Sequence, residues 1–127
     1  MEIVTQTDYQ DIYRITDGVL LIVNKFIPID YSDKTKACIR VHRSEAKYKS
    51  YNKNCPNCLK VLKEDYAKAA DRMMKFNGID ASFVLGYVDE ETVHISARGG
   101  KKVNVGKIME QAYGGGNFQS AGGRVVT

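Results

Sequence analysis

Residues 81–98, ASFVLGYVDEETVHISAR, decide the fold class of this chain. Two runs of β-forming residues, 81–88 and 92–98, flank the acidic turn Asp89-Glu90-Glu91, which predicts an antiparallel hairpin. In the second strand, alternation separates an apolar face from a polar face, and we expect the polar face to present a site. The apolar face carries Val93, Ile95 and Ala97, and the polar face carries Thr92, His94, Ser96 and Arg98.

Helices are predicted on both sides of this hairpin. Residues 59–76 repeat apolar side chains at helical spacing and end at the C-cap signal Asn77-Gly78. After the hairpin, Asn104 is a good N-cap for a helix that must stop at the glycines 114–116. The expected buried residues are Leu62, Tyr66, Ala69, Ala70 and Met73 in the first helix, and Val105, Ile108, Met109 and Ala112 in the second.

Further elements are predicted at the two ends of the chain. Residues 8–15 are expected to form a short helix capped by Thr7, and the apolar run 19–23 a strand buried on both faces. A second strand is predicted over 36–43, a loop over 47–54 and a short final strand over 124–126. The alternation of strands and helices predicts an α/β fold, with one mixed sheet and packed helices.

Length and composition are typical of one globular domain. The chain has 127 residues and is 43% apolar, with 11 Gly and 2 Pro, which argues against a disordered or collagenous protein. Its longest apolar stretch, residues 19–23, is far shorter than the roughly 20 residues of a membrane span. No secretory signal is recognisable, and the three cysteines are an odd number. We therefore expect a cytoplasmic protein, or the cytoplasmic part of a membrane-anchored one.

Positive charge is concentrated in one segment. Residues 34–63 hold nine Lys and Arg against one acid, a local charge of +8, whereas the rest holds ten basic and fourteen acidic residues, a charge of −4. Tyr48 and Tyr51 alternate with lysines in KYKSYNK. Such a segment is able to attract phosphates and stack bases, which indicates a nucleic-acid-binding module as one alternative. A solvated surface loop is the other.

A glycine-rich stretch follows the last predicted helix. Residues 114–123 read GGGNFQSAGG, and consecutive glycines can form a concave nest of N–H groups for an anion. An ordinary helix-to-strand connection also uses glycine. The stretch matches neither the P-loop nor the dinucleotide-binding fingerprint.

Four motifs between residues 62 and 126 together resemble a known family. The motifs, in order, are an "ASFV" strand, an "ISAR" strand, an "NV…IME" helix and a glycine run. They lie in the stretches AKAAD, IDASFVLGYVDEETVHISARG and VNVGKIMEQAYGGGNFQSAGG. This combination resembles the DHHA1 domain of the DHH phosphoesterase superfamily, in particular that of GdpP-type cyclic-di-AMP phosphodiesterases. The basic segment 34–63, with its cysteines, is then a local elaboration of a single DHHA1-like domain over residues 1–127.

The resemblance implies a role in binding nucleotides. In that family a separate DHH domain carries an Asp-His-His motif and two manganese ions, and the DHHA1 domain contacts the substrate. This chain contains no Asp-His-His, and its histidines are His42 and His94. The resemblance therefore implies that the chain binds a cyclic dinucleotide or short oligonucleotide without a cofactor of its own. The DHH catalytic domain is the implied partner, and the chain alone is not expected to hydrolyse its ligand.

Six residues align with the family's binding motifs, and five of them match. Ser96 and Arg98 match the serine and arginine of "SAR", and Arg98 would pair with a phosphate. Gly114, Gly115 and Gly116 match the last three glycines of GGGGH. Asn117 stands where the family has histidine, and because Asn carries no proton or charge, turnover supported by this position is in doubt. The alternative role for Arg98 is a bond to a carboxylate or to strand-end carbonyls.

The cysteines suggest a separate hypothesis. Cys38, His42, Cys55 and Cys58 are four potential zinc ligands, and CPNC resembles a zinc knuckle. If residues 36–43 form a strand, however, Cys38 and His42 lie about 13 Å apart, too far to share one ion. A redox CxxC and ordinary thiols are the alternatives.

A third functional alternative is a structural or dimerisation domain. The hairpin that ends at Arg98 would then offer a strand edge for pairing with a second copy in a homodimer.

Overall fold

Seven strands form one sheet in the computed structural model, which describes residues 1–25, 27–28, 51–111 and 114–126. The strands are Glu2–Gln6 (β1), Gln10–Thr16 (β2), Val19–Asn24 (β3), Ala81–Tyr87 (β4), Thr92–Gly99 (β5), Gly114–Gly116 (β6) and Ser120–Val126 (β7). Their order is β1-β2-β3-β4-β5-β7-β6, and β3 with β4 is the one parallel pair of this sheet. This mixed sheet with packed helices confirms the predicted α/β class.

Two helices within the described residues cover opposite faces of the sheet. Helix α1, Pro56–Met73, packs its buried side chains against Ile22 and Val84, and helix α2, Val105–Gln111, packs against Ala81 and Ala97. Ala81 and Val84 lie on opposite faces because side chains alternate along a strand. We call the side of the sheet on which α1 lies the α1 face. No helix in the described part of the chain is long and apolar enough to cross a membrane.

The predicted N-terminal helix over 8–15 is wrong, since this segment forms the turn before β2 and most of that strand. The Thr7 hydroxyl accepts hydrogen bonds from the N–H groups of Tyr9 and Gln10 and donates to the Gln10 carbonyl, so it closes a hairpin turn. Pairing with β1 and β3 then satisfies the β2 backbone. Thr7 therefore closes a hairpin turn instead of capping a helix as predicted, and the pairing of β2 allows Ile12 to pack against the α1 cluster.

The central strand and the hairpin agree closely with the sequence. The run 19–23 lies in β3, although Leu20 and Ile22 are buried while Val19, Leu21 and Val23 on the other face are only half-buried. The 81–98 hairpin is confirmed, with Ala81 paired to Gly99. Its turn is closed by the Asp89 carboxylate, which accepts from the N–H groups of Glu91 and Thr92, and these bonds lower the pKa of Asp89.

The helices and the last strand differ from prediction mainly at their ends. Helix α1 begins at Pro56, which suits a first turn because proline lacks an N–H there. It ends before Asn77-Gly78, yet Gly78 has the positive φ of 81° expected of a turn glycine. The Asn104 cap is confirmed, since its side chain accepts from the Lys107 N–H. Ile108 is 43% exposed and therefore not part of the core, and β7 is longer than the predicted 124–126.

Three predictions fall wholly or partly outside the described residues. These are the strand over 36–43, half of the loop over 47–54 (residues 47–50), and the burial of Ala112.

Contacts to the hairpin determine how close α1 lies to the sheet. The Tyr66 ring lies over Gly86, where a Cβ atom would be only 2.2 Å from the ring. Burial raises the pKa of Tyr66, and its protonated hydroxyl donates to the Tyr87 carbonyl at 2.9 Å. One turn of helix further on, the buried Ser82 hydroxyl donates to the Ala70 carbonyl at 2.8 Å. Only glycine at position 86 permits this approach.

We expect Gly86→Ala to lower the free energy of unfolding by about 1–3 kcal/mol, because the added methyl collides with the Tyr66 ring. The matched control is Gly100→Ala, where the nearest atom to the new Cβ would be 3.6 Å away. Urea unfolding followed by circular dichroism measures both. Equal stability of the two variants would contradict the role given to Gly86.

Candidate functional site

A strip of the α1 face crosses three neighbouring strands and carries almost no side chains. Ser96 of β5 pairs with Gly122 of β7, which pairs with Gly115 of β6. Directly paired residues share a face, and Ser96 also pairs with Val84, which packs against α1. A Cβ at Gly115 would have no atom within 4 Å. No side chain therefore covers the sheet backbone at Gly122 and Gly115, whereas Ser96, next to α1, is buried.

Arg98 stands at one side of this strip and is held by two hydrogen bonds. Its Nε donates to Asp71 Oδ1 of α1 at 2.7 Å, and Nη1 donates to the Ala97 carbonyl at 2.9 Å. The Arg98 side chain is 20% exposed and that of Asp71 57%. The alternative role predicted for Arg98, a carboxylate and a strand carbonyl as partners, is thus present. Because a guanidinium has five N–H donors, three remain for another partner.

The glycine run forms an edge strand rather than the concave nest. Gly114 and Gly116 lie where a Cβ would be 2.1 Å from the Gly122 oxygen and 2.4 Å from the Ser120 oxygen. Both are therefore required by the close approach of β7. Gly115 alone faces open space, so it is the member of the run that a ligand can approach on the α1 face.

Asn117 closes the turn between β6 and β7. Its Oδ1 accepts from the N–H groups of Gln119 and Ser120, and its own N–H donates to the Ser120 carbonyl. The turn lies beside the end of β5, since the Gly99 N–H donates to the Gln119 carbonyl. The structure thus brings Asn117 close to the Arg98 end of the strip. With Oδ1 occupied, Nδ2 is the side-chain group left for a ligand.

The polar face of β5 is less open than the sequence predicts, because α1 covers much of it. His94 stacks on the Tyr66 ring with centroids 6.4 Å apart, and Ser96 is only 4% exposed. Burial, together with the nearby Lys63, lowers the pKa of His94. Of the predicted residues, Arg98, Gly115 and Asn117 border the α1 face and are half-buried or exposed, whereas Gly116 is exposed but held against β7.

Sequence reasoning missed Asp71 and Arg124 on this face. Asp71 follows the buried Ala70 by one position, so helical spacing places it at the border of the packed side of α1. Arg124 pairs with His94 and therefore lies on the α1 face, where it is exposed. A final strand predicted from Ser120 instead of Arg124 would have paired Arg124 with His94 and placed it on this face.

The cysteine hypothesis is answered only in part. Cys55 precedes α1, and Cys58 is fully buried among Leu62, Tyr66 and other core residues. Cys38 and His42 lie outside the described residues, so the four-ligand zinc set stays a prediction. Within the described ranges, no three His, Cys, Asp or Glu side chains are grouped to hold a metal ion.

Two surface predictions need correction. Tyr51 is 7% exposed and its hydroxyl donates to Asp65, so its ring is not available to stack on bases. Burial and this hydrogen bond raise the pKa of Tyr51. The hairpin that ends at Arg98 offers no edge, because β5 lies between β4 and β7 and β4 lies between β3 and β5.

The sequence of this chain matches the model of one protein family. The family model described as "DHHA1 domain" matches residues 58–126, which include most of α1, the hairpin, the strip and Arg124. Over 55 residues the chain is 47% identical to an uncharacterized protein of Methanocaldococcus jannaschii. It is 46% identical to the cyclic-di-AMP phosphodiesterase GdpP of Bacillus subtilis and 42% identical to the cyclic-di-AMP phosphodiesterase PdeA of Listeria monocytogenes, again over 55 residues.

These matches cover 42–43% of this chain and only 8–11% of each relative. The chain therefore corresponds to a small part of each of these proteins.

Titration of His94 should appear in the stability of the fold. Its pKa in the folded state lies below the ordinary 6.5, so the unfolded chain binds more protons below that pH and stability falls as pH decreases. We expect His94→Gln to reduce this fall between about pH 7.5 and 5.5, measured by urea unfolding at each pH. His42→Gln, which removes the other histidine, is the control. An unchanged slope in His94→Gln would contradict the burial of His94.

Proposed function

The chain belongs to the DHHA1 domain family, and from this premise we propose that it is the substrate-binding part of a DHH-family phosphodiesterase. The proposed ligand is a cyclic dinucleotide such as cyclic-di-AMP, or a short oligonucleotide. Two of the relatives are named as cyclic-di-AMP phosphodiesterases, which supports this ligand class. The binding site is the α1 face around Arg98, Gly115 and Asn117.

The observation that carries the proposal is the setting of Arg98. Asp71 and the Ala97 carbonyl fix the guanidinium in one orientation, so less conformational entropy is lost when it binds a phosphate. Beside it, Gly115 and Gly122 leave the sheet backbone accessible. A phosphate on Arg98 would place the attached sugar and base over this strip.

Hydrolysis is assigned to another domain. Metal-assisted attack of water on phosphorus needs carboxylates and imidazoles grouped around two ions, and the described residues contain no such group. His94 is packed against Tyr66 and, among residues 1–25, 27–28, 51–111 and 114–126, belongs to no group of three metal-ligating side chains. The residues that the structure describes therefore do not fit the manganese site implied by the resemblance, and we assign that site to a DHH domain partner. This chain binds and orients the ligand.

Asn117 bears on turnover rather than on affinity. Its Oδ1 is committed to the β6–β7 turn, and its Nδ2 group can donate two hydrogen bonds but cannot transfer a proton. We infer that a ligand contact here is weak in comparison with Arg98.

A nucleic-acid-binding module is the second candidate, because of the +8 segment over residues 34–63. In its described part, Lys60 and Lys63 are exposed on α1, whereas Lys53 is paired with Glu90. Binding through this segment would weaken steeply with salt and would depend on Lys47 and Lys49 rather than on Arg98.

We expect Arg98→Ala to weaken binding of cyclic-di-AMP and of its linear product pApA by about tenfold or more, because a charge-assisted phosphate contact is lost. Isothermal titration calorimetry on the 127-residue chain measures this. Arg14→Ala is the matched control, since it removes the same charge from β2, three strands away.

The two roles of Arg98 are separated by measuring stability as well. A purely structural Arg98–Asp71 pair would make Arg98→Ala less stable but leave the affinity of the folded protein unchanged. Equal affinity of Arg98→Ala and wild type would therefore remove Arg98 from the site. Loss of affinity in Lys47→Ala and Lys49→Ala, with Arg98→Ala unaffected, would favour the nucleic-acid module.

A further inference from the structure

Arg124 is a second arginine on the face that carries Arg98. It pairs with His94 across β5 and β7, and His94 stacks on Tyr66 of α1, which fixes the face. Arg124 is exposed, and among the described residues no hydrogen bond or ion pair involves its side chain. Helix α2 packs on the opposite face of the sheet. An exposed, unpaired guanidinium is thus available beside the strip.

The two arginines stand at opposite sides of the bare strip. Arg98 pairs with Ser120, and Arg124 lies four residues further along β7, about 13 Å at strand spacing. The row between them is Ser96, Gly122 and Gly115. Ser96 is buried beside α1, whereas Gly122 and Gly115 are half-buried and have no side chain, so the open part of this row lies on β7 and β6.

The surrounding charges differ between the two sides. At the Arg98 side, the Asp71 carboxylate compensates the guanidinium. At the Arg124 side, Lys63 lies near enough to His94 to lower the pKa of the imidazole, so Lys63 adds a second positive charge on this side. The electrostatic field on this side is therefore suited to an anion.

We propose that Arg124 binds a second phosphate of the same ligand, so that the site selects nucleotides with two phosphate groups over mononucleotides. The inference rests on the proposed function, because Arg98 is taken as the contact to the first phosphate. A guanidinium binds a phosphate with two parallel N–H donors. The 13 Å separates strand positions, and the exposed Arg124 side chain is long enough to lean over Gly122 toward Arg98, so that the two guanidinium groups can hold two neighbouring phosphates of one ligand. The linking sugar then lies over Gly122 and Gly115.

Calorimetric titration with pApA and with AMP tests this on the 127-residue chain. We expect Arg124→Ala to weaken pApA by about tenfold and AMP by less than about twofold, since one phosphate contact is lost only for the longer ligand. Arg98→Ala should weaken both ligands, and Arg14→Ala neither. Arg124→Lys, which keeps the charge without the planar fork, should fall between wild type and Arg124→Ala for pApA.

The outcomes distinguish this inference from the proposed function. Arg124→Ala with unchanged pApA affinity, or with equal losses for both ligands, would overturn the selection by Arg124 while leaving the role of Arg98 standing. Equal affinity of Arg98→Ala and wild type would overturn the proposed site at Arg98. Absence of binding by the wild type to either nucleotide would overturn both. Unfolding curves check that Arg124→Ala, a change at an exposed side chain, remains folded.

Discussion

The close packing of Tyr66 on Gly86 is the contact on which the rest of the structure depends. It brings α1 so near the hairpin that the Tyr66 hydroxyl reaches the Tyr87 carbonyl and the Ser82 hydroxyl reaches the Ala70 carbonyl. These bonds satisfy polar groups that would otherwise be buried without partners. They also fix the rotation of α1 and its position along its own axis. The buried residues of the helix therefore pack against defined residues of β4 and β5.

The candidate site follows from that alignment. Once Ala70 faces Ser82, the next residue of the helix, Asp71, points along the sheet toward Arg98 and orients its guanidinium. The helix covers β4 and β5, and the face continues over β7 and β6 through Gly122 and Gly115. A ligand placed there would have a rigid helix on one side and exposed backbone beneath it. The site is therefore built by packing, with few residues of its own.

The sequence predicted local features well and long-range features poorly. The 81–98 hairpin, the Asn104 cap and the α1 stripe were predictable because each depends on residues a few positions apart. Residues 8–15 were mispredicted because Thr7 caps a helix and closes a hairpin with similar hydrogen bonds, and only pairing with β3 decides between them. The Asp71 partner of Arg98 and the place of Arg124 depend on how distant segments meet. Period and spacing along the chain contain no such information.

The parallel pair of β3 and β4 has a consequence for assembly. Val19 pairs with Ala81, 62 positions further along the chain, whereas the antiparallel pairs on either side, β2–β3 and β4–β5, each join consecutive strands through a short turn. Closing so long a loop costs chain entropy before any contact repays it. The topology thus favours a route in which the β1–β3 meander and the unit from α1 to β7 form separately and dock last along β3 and β4. The seam along β3 and β4 also separates the N-terminal strands from the residues that the DHHA1 model matches, although Val19 and Ile22 of β3 complete the two cores of that unit.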